Sequence, residues 1–385
     1  MELPNFFRDF LTDIRPTVNQ RNEMKTGHTT LRNRIRNYEQ LSGIYITDFL
    51  QGSYRRSTAI RPKGDQRSDV DIIVVTNLHE SDFTPQNAMK LFEPFLDDYY
   101  KGKWKPQGRS YGIELSYVEL DLVITSAPAE ADLAKLKSAS VRFSDELETA
   151  QDWRLAPSWI PPSERSNPAA QESMKRAANE EAWRLSPLRI PDRDADEWDD
   201  THPLEQIKWT TAKNQSCNGH YINVVKALKW WRRINENLPK YPKGYPLEHL
   251  IGDCCPDSIS SVAEGVMLTL EAIVSKYALH AAAKTTPFLP DRGVPAHNVF
   301  HRVEGTDFAA FYDEVRQAAA IARRALNADT VKESADAWRE LFGDKFPKAP
   351  DDGRSNDDGG NKSAYIGRGY TKREGNTDPS EGRYA

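Results

Sequence analysis

Two aspartates, Asp69 and Asp71, stand two positions apart in the run DVDIIVVT that spans residues 69–76. On a β-strand side chains alternate between faces, so both carboxylates point the same way. Two adjacent carboxylates repel unless a cation lies between them, and magnesium suits that place because it takes carboxylate and phosphate oxygens. Such pairs are common at strand ends and carry little on their own. Asp121 adds weight, because it lies between Leu120 and Leu122 in a second apolar run. An acid inside an apolar strand is costly without a partner. If the two strands are neighbours, three carboxylates can hold two metal ions roughly 4 Å apart, an arrangement that stabilises both the attacking and the leaving oxygen of phosphoryl transfer. Gly52-Ser53 precedes this pair. Glycine lets the backbone approach a phosphate closely, and backbone N–H groups with the Ser53 hydroxyl can cradle a triphosphate. Gly-Ser, then Asp-x-Asp, then a strand-borne Asp is an order that points to metal-dependent nucleotidyl transfer.

These groups need a frame. The pattern predicts helix over 4–42, a strand at Tyr45–Leu50, a short helix from Tyr54 and a strand at Asp69–Thr76. A helix at Asn87–Tyr99 and strands at Gly112–Tyr117 and Val118–Thr125 follow. This is a mixed α/β pattern. Residues 148–205 are rich in Pro, Trp, Asp and Arg, with an echo between Trp153-Arg154-Leu155-Ala156-Pro157 and Trp183-Arg184-Leu185-Ser186-Pro187. Two units are too few for a solenoid and read as similar surface turns. Further on, helices are expected at Asn223–Asn237, Ser261–Ala283 and Phe308–Leu326, and another from the capping box Thr330-Val331-Lys332-Glu333. The stretch 348–385 is glycine-rich and poor in large apolar residues, and reads as a flexible tail.

The 385 residues allow two domains, and 38% hydrophobic with 28% charged residues reads as globular and soluble. No apolar run approaches the roughly 20 residues of a bilayer span, and the N-terminus has no secretory pattern. Three cysteines are too few for a disulfide framework, which fits a reducing, cytoplasmic setting. The net charge of −5 speaks against stable binding of long nucleic acid. His249 with Cys254-Cys255 lacks an evident fourth ligand, so the thiols read as small buried groups rather than a zinc site.

The segment Gln51-Gly52-Ser53-Tyr54-Arg55-Arg56-Ser57-Thr58-Ala59-Ile60, with Asp69-Val70-Asp71 and Asp121, resembles the signature of the polymerase-β nucleotidyltransferase superfamily. Within it, the chain resembles the bacterial cGAS/DncV-like nucleotidyltransferases (CD-NTases) and their D branch. Asp291 before Asn298 is similar to a later Asp…Asn element of that family. The resemblance implies an α/β, bilobed fold: a polymerase-β-like lobe with a mixed sheet, and a C-terminal helical lobe of the oligoadenylate-synthase type. The expected domains are 1–208, 209–347 and the tail 348–385. The resemblance assigns Asp69, Asp71 and Asp121 to catalysis and metal binding, with two Mg2+ ions or Mn2+ in their place. It assigns Gln51, Gly52, Ser53, Lys229, Lys243 and Tyr245 to the nucleotide. Lys229 resembles a lysine that holds the donor triphosphate, and Tyr245 an aromatic residue that stacks on a base. Lys243-Gly244 stands where the family often has serine, and Lys243 is expected to substitute as a cation. Arg55, Arg56, Arg61, Lys63 and Arg67 cluster around the Gly-Ser and Asp-x-Asp segments and are expected to line the cleft as phosphate or acceptor contacts.

The implied product is an adenine-rich cyclic di- or trinucleotide such as cyclic AMP-AMP-GMP, made from ATP and GTP in bacterial anti-phage (CBASS) signalling. Implied partners are a downstream effector that reads the product and an E1/E2-like ligase acting on the C-terminal Ala385. Two other readings share the same residues: a linear RNA- or tRNA-tailing nucleotidyltransferase, and a non-catalytic nucleotide-sensing module.

Overall fold

The computed structural model describes residues 1–64, 66–127 and 187–350. The paired Trp-Arg-Leu segments and most of the 348–385 tail, with Ala385, lie outside the described residues.

Helix α1 (Pro4–Ile14) buries Phe6, Phe7, Phe10, Leu11 and Ile14 along one face. Arg15 is extended, as a residue before proline should be, and the chain restarts at Thr17. Thr17 and Gln20 form a reciprocal capping box that opens α2 (Val18–Arg36). The single helix expected over 4–42 is therefore two helices and a 3-10 turn at Glu39–Leu41. Strand β1 (Tyr45–Gln51) runs into the short helix α3 (Gly52–Arg55), and β2 (Ser68–Thr76) follows. The expected helix over 87–99 is also split, into α4 (Pro85–Lys90) and α5 (Glu93–Tyr100), with Pro94 in the first turn of the second. Next come β3 (Trp104–Pro106), β4 (Tyr111–Glu114), β5 (Val118–Ser126), β6 (Leu188–Asp192) and β7 (Glu197–Thr201). The sequence reading missed β3, β6 and β7, which are short and carry few apolar residues.

The strands form one mixed sheet in the order β1-β2-β5-β4-β3, with β6 joined to β5 and β7 to β6. The β2–β5 pair is parallel and the others are antiparallel. Alternation along the central pair is clean. Val70, Ile72 and Val74 of β2, with Leu120, Leu122 and Ile124 of β5, pack on Met24, Leu31 and Ile35 of α2 and Phe95 and Leu96 of α5. Ile73, Val75 and Val123 face the other way, with Phe49, Leu188, Ile190 and Leu204. The aspartates occupy this second parity, beyond the end of its apolar patch.

Among the described residues six α-helices follow: α6 (Pro203–Ser216), α7 (Tyr221–Ile234), α8 (Tyr245–Cys254), α9 (Val262–Ala283), α10 (Gly305–Asn327) and α11 (Val331–Phe342). The Thr330–Glu333 capping box is formed. α6 is mostly polar in sequence, and it and α8 were not expected. α9 is long and apolar enough to cross a membrane by length and composition. It packs instead as the central helix of this lobe, burying Val262, Val266, Leu270 and Ile273. Residues 1–14, grouped by sequence with the sheet, bury their aromatic face here: Phe7 meets Trp338 edge-on and Phe10 stacks on Phe342.

Candidate active site

Because β2 and β5 are parallel neighbours, Asp71 lies opposite Asp121 in register, and Asp69 opposite Glu119. The carboxylate oxygens of Asp69, Asp71 and Asp121 come within 4.8 Å of one another, and among the described residues this is the cluster able to hold a metal ion. The sequence expectation that the three converge is met by strand pairing alone.

β1 brings the Gly-Ser turn to the same place, since Gln51 pairs with Asp71. Gly52 has φ +72°, and a Cβ there would lie 1.7 Å from Asp71 Oδ2. No other residue type fits without displacing that carboxylate. The Ser53 carbonyl accepts the N–H groups of Thr58 and Ala59 at 2.9 and 3.1 Å, which fixes the turn. On the far side, Gln107 Nε2 donates to Asp121 Oδ1 at 3.2 Å, and the Ser110 hydroxyl holds Gln107 Oε1 at 2.8 Å. Gly112, paired with Asp121, leaves room for Gln107: a Cβ there would lie 2.5 Å from Gln107 Nε2. Nothing in the spacing marks Gln107, and it was missed.

The cluster is electrostatically strained. One edge of Asp69 stays open to solvent, but the crowding of the cleft around it, then Asp71 and Asp121, push its carboxyl up to about 8. Burial and then Asp71 push Asp121 up to about 6, against the Gln107 hydrogen bond. Burial also raises Asp71, opposed first by Arg56. Three acids that resist ionising together are a set that a divalent cation would relieve, so the residues fit a metal.

Lys229 and Tyr245 reach the cleft from the helical lobe. Lys229 donates to Glu248 at 2.8 Å, and its charge, like that of Arg56, acts on Asp71. Tyr245 opens α8; the Arg56 guanidinium lies over its ring at 5.0 Å, and burial, then the charge of Asp291, raise its hydroxyl pKa. Lys243 is exposed and directed at the Tyr241 ring, 5.5 Å away. Of the basic cluster, Arg56 stands at the carboxylates. Arg61 instead donates to the Arg15 carbonyl at 3.0 Å and braces the end of α1. Asp291 accepts the Gly293 and Val294 N–H groups at 2.8 and 3.2 Å, and Asn298 those of Leu289 and Phe300 at 3.0 Å, so both organise the loop before α10. Cys217, Cys254 and Cys255 are buried free thiols.

Residues 1–129 match the Second Messenger Oligonucleotide or Dinucleotide Synthetase domain. A relative named cyclic AMP-AMP-GMP synthase, from Enterobacter hormaechei subsp. hoffmannii (strain UCI 50), is 51% identical over 356 residues, covering 90% of this chain and 92% of the relative. The cyclic AMP-AMP-AMP synthase of Acinetobacter sp. (strain ATCC 27244 / 9458) is 30% identical, covering 89% of this chain and 85% of the relative. The GTP-bound form of Vibrio cholerae DncV superposes with a TM-score of 0.59 at 13% identity, covering 89% of this chain and 96% of that one, a likeness of fold. The converged aspartates and these relatives agree: the chain belongs to the bacterial cGAS/DncV-like nucleotidyltransferases, a family of metal-dependent enzymes that synthesise cyclic oligonucleotides.

Proposed function

We propose that this chain condenses ATP and GTP into cyclic AMP-AMP-GMP, a second messenger of CBASS anti-phage signalling. The observation that carries the reading is the convergence of Asp69, Asp71 and Asp121 beside Gly52, in a chain half identical to a cyclic AMP-AMP-GMP synthase. The 30% identical relative is named for an all-adenine product, so base choice follows the nearer relative here.

Asp69, Asp71 and Asp121 would hold the metal, with Mg2+ the preferred ion and Mn2+ a substitute. When bound, two divalent ions supply charge for the attacking and leaving oxygens of an in-line displacement. The chain's own groups do the rest. Gly52 and Ser53 admit the triphosphate close to the backbone. Lys229 and Arg56 add positive charge beside Asp71. Asp121, oriented by Gln107, accepts the proton of the attacking ribose hydroxyl at a carboxylate oxygen. The Tyr245 ring stacks on a base; such stacking is worth roughly 1–3 kcal/mol by analogy with single-strand binders. Lys243 and Gln51 stay within the proposed nucleotide set on the strength of the resemblance. An E1/E2-like ligase acting at Ala385, an effector that reads the product and a cytoplasmic location complete the proposal; they rest on the resemblance and on the buried free thiols.

The test is mass spectrometry of the product formed from mixed nucleoside triphosphates, before and after phosphatase. A phosphatase-resistant trinucleotide with two adenines and one guanine is expected, and the Asp69→Asn/Asp71→Asn variant should yield none. A phosphatase-sensitive ladder would mean linear tailing, which the net charge of −5 disfavours.

A further inference from the structure

Glu248 was not marked by the sequence, yet its buried carboxylate is heavily partnered beside the cleft. It sits within α8, 4% exposed. Its carboxylate accepts three hydrogen bonds from two segments: Thr58 Oγ1 at 2.9 Å, Arg56 Nε at 3.1 Å and Lys229 Nζ at 2.8 Å. Arg56 and Thr58 follow the Gly-Ser turn of the sheet lobe, while Lys229 belongs to α7 of the helical lobe. One buried acid therefore ties both lobes together behind the metal cluster. Burial opposes its charge, but Lys229 and then Arg56 overcome this and hold its carboxyl at about 2, so it stays ionised.

Buried ion pairs are weak evidence for stability, since well-packed apolar residues of similar volume often do as well or better. A function beyond folding is suggested by where the charge acts. Two cations face a single acid, and both cations also act on Asp71. An ammonium has three donors and a guanidinium five. Each gives one to Glu248, which fixes its direction and leaves others for an anion at the cleft.

We propose that Glu248 is a positioning residue: it holds the Lys229 ammonium and the Arg56 guanidinium, one from each lobe, in a fixed pair that receives the triphosphate of the incoming nucleotide. This rests on the reading of the cleft as a nucleotide site. Without the Glu248 charge, the buried Arg56 and half-buried Lys229 cations would repel each other and Lys229 would turn towards solvent. The enzyme would then lose nucleotide affinity before it lost chemistry.

Steady-state kinetics of Glu248→Gln with Mg2+ and varied ATP test this. The expected result is a KM for ATP raised about 10- to 100-fold, the range of one charge-assisted hydrogen bond, with kcat changed far less. Binding of α,β-methylene ATP, measured by calorimetry, should weaken by the same factor. Lys229→Met should raise KM similarly, and the double variant should add little, because the two residues act as one unit. A merely structural Glu248 would lower melting temperature and apparent kcat through lost folded enzyme, with KM unmoved. That result, or a double variant whose effects multiply, would overturn the proposal. If Glu248→Gln does not fold, Glu248→Asp keeps the charge but withdraws it by one methylene; KM is independent of the folded fraction, and an unchanged KM there counts against the proposal. Failure of the nucleotide reading itself is distinguishable, since the wild-type chain would then neither bind α,β-methylene ATP nor form product from nucleoside triphosphates.

Discussion

At the scale of single residues, the site depends on clearances as much as on charges. Gly52 lies against Asp71 with no space for a methyl group and takes a positive φ. Gly52→Ala is expected to displace the Asp71 carboxylate or open the turn. A misplacement of about 1 Å costs about 100-fold in rate, so kcat should fall by that order. The left-handed conformation adds about 1–2 kcal/mol of strain for a non-glycine residue. Kinetics and urea unfolding on the same preparation separate the two effects, and a variant with wild-type kcat would refute the steric reading. Gln107 shows the complementary case. Its amide orients Asp121 from a position that neither spacing nor composition singles out, and Gly112 is small because Gln107 occupies the place of a side chain there.

At the scale of elements, β2 and β5 deliver the acids and α1 holds the helical lobe. α1 is amphipathic, and its sequence alone is compatible with either lobe. Phe10 is fully buried and packs on Phe342 at 4.6 Å between ring centroids. Phe10→Ala should cost about 3–5 kcal/mol, the usual range for a large core aromatic. The readout is the urea midpoint at unchanged slope, and the aspartate cluster, which lies on the sheet outside this core, should keep its metal affinity. A midpoint shift under about 1 kcal/mol would mean that α1 does not anchor the lobe.

At the scale of the whole molecule, pH acts through groups distributed over both lobes. His28 and His249 are buried, with pKa values lowered to about 3 and about 4, first by burial. Between those values and about 6.5 the unfolded chain binds protons that the folded histidines refuse, so their contribution to stability is present near neutral pH and lost on acidification. Asp69 and Asp121 have the opposite sign: their raised pKa values favour the folded state as pH falls. The two effects oppose each other in the wild type, so the useful quantity is a difference. His28→Leu should gain melting temperature relative to wild type as pH is lowered from 7 to 5, with the Asp terms common to both. A pH-independent difference would show that His28 titrates normally in the folded protein.

The sequence by itself determined the parity of Asp69 and Asp71, the Gly-Ser turn, the Thr330–Glu333 capping box and the α/β-then-helix order. Each of these is encoded within a few residues, by strand alternation, turn chemistry or helix capping. Even locally it erred where a proline reset the chain, at Arg15–Thr17 and again at Pro94 in the first turn of α5. Tertiary structure alone decided that Asp71 and Asp121 are register partners, that Gln107 orients Asp121, that α1 belongs to the helical core, and that Glu248 reaches Arg56 across 192 positions of chain. Those contacts join segments whose local preferences are independent of one another, so only the packing of sheet against helices brings them within hydrogen-bonding distance.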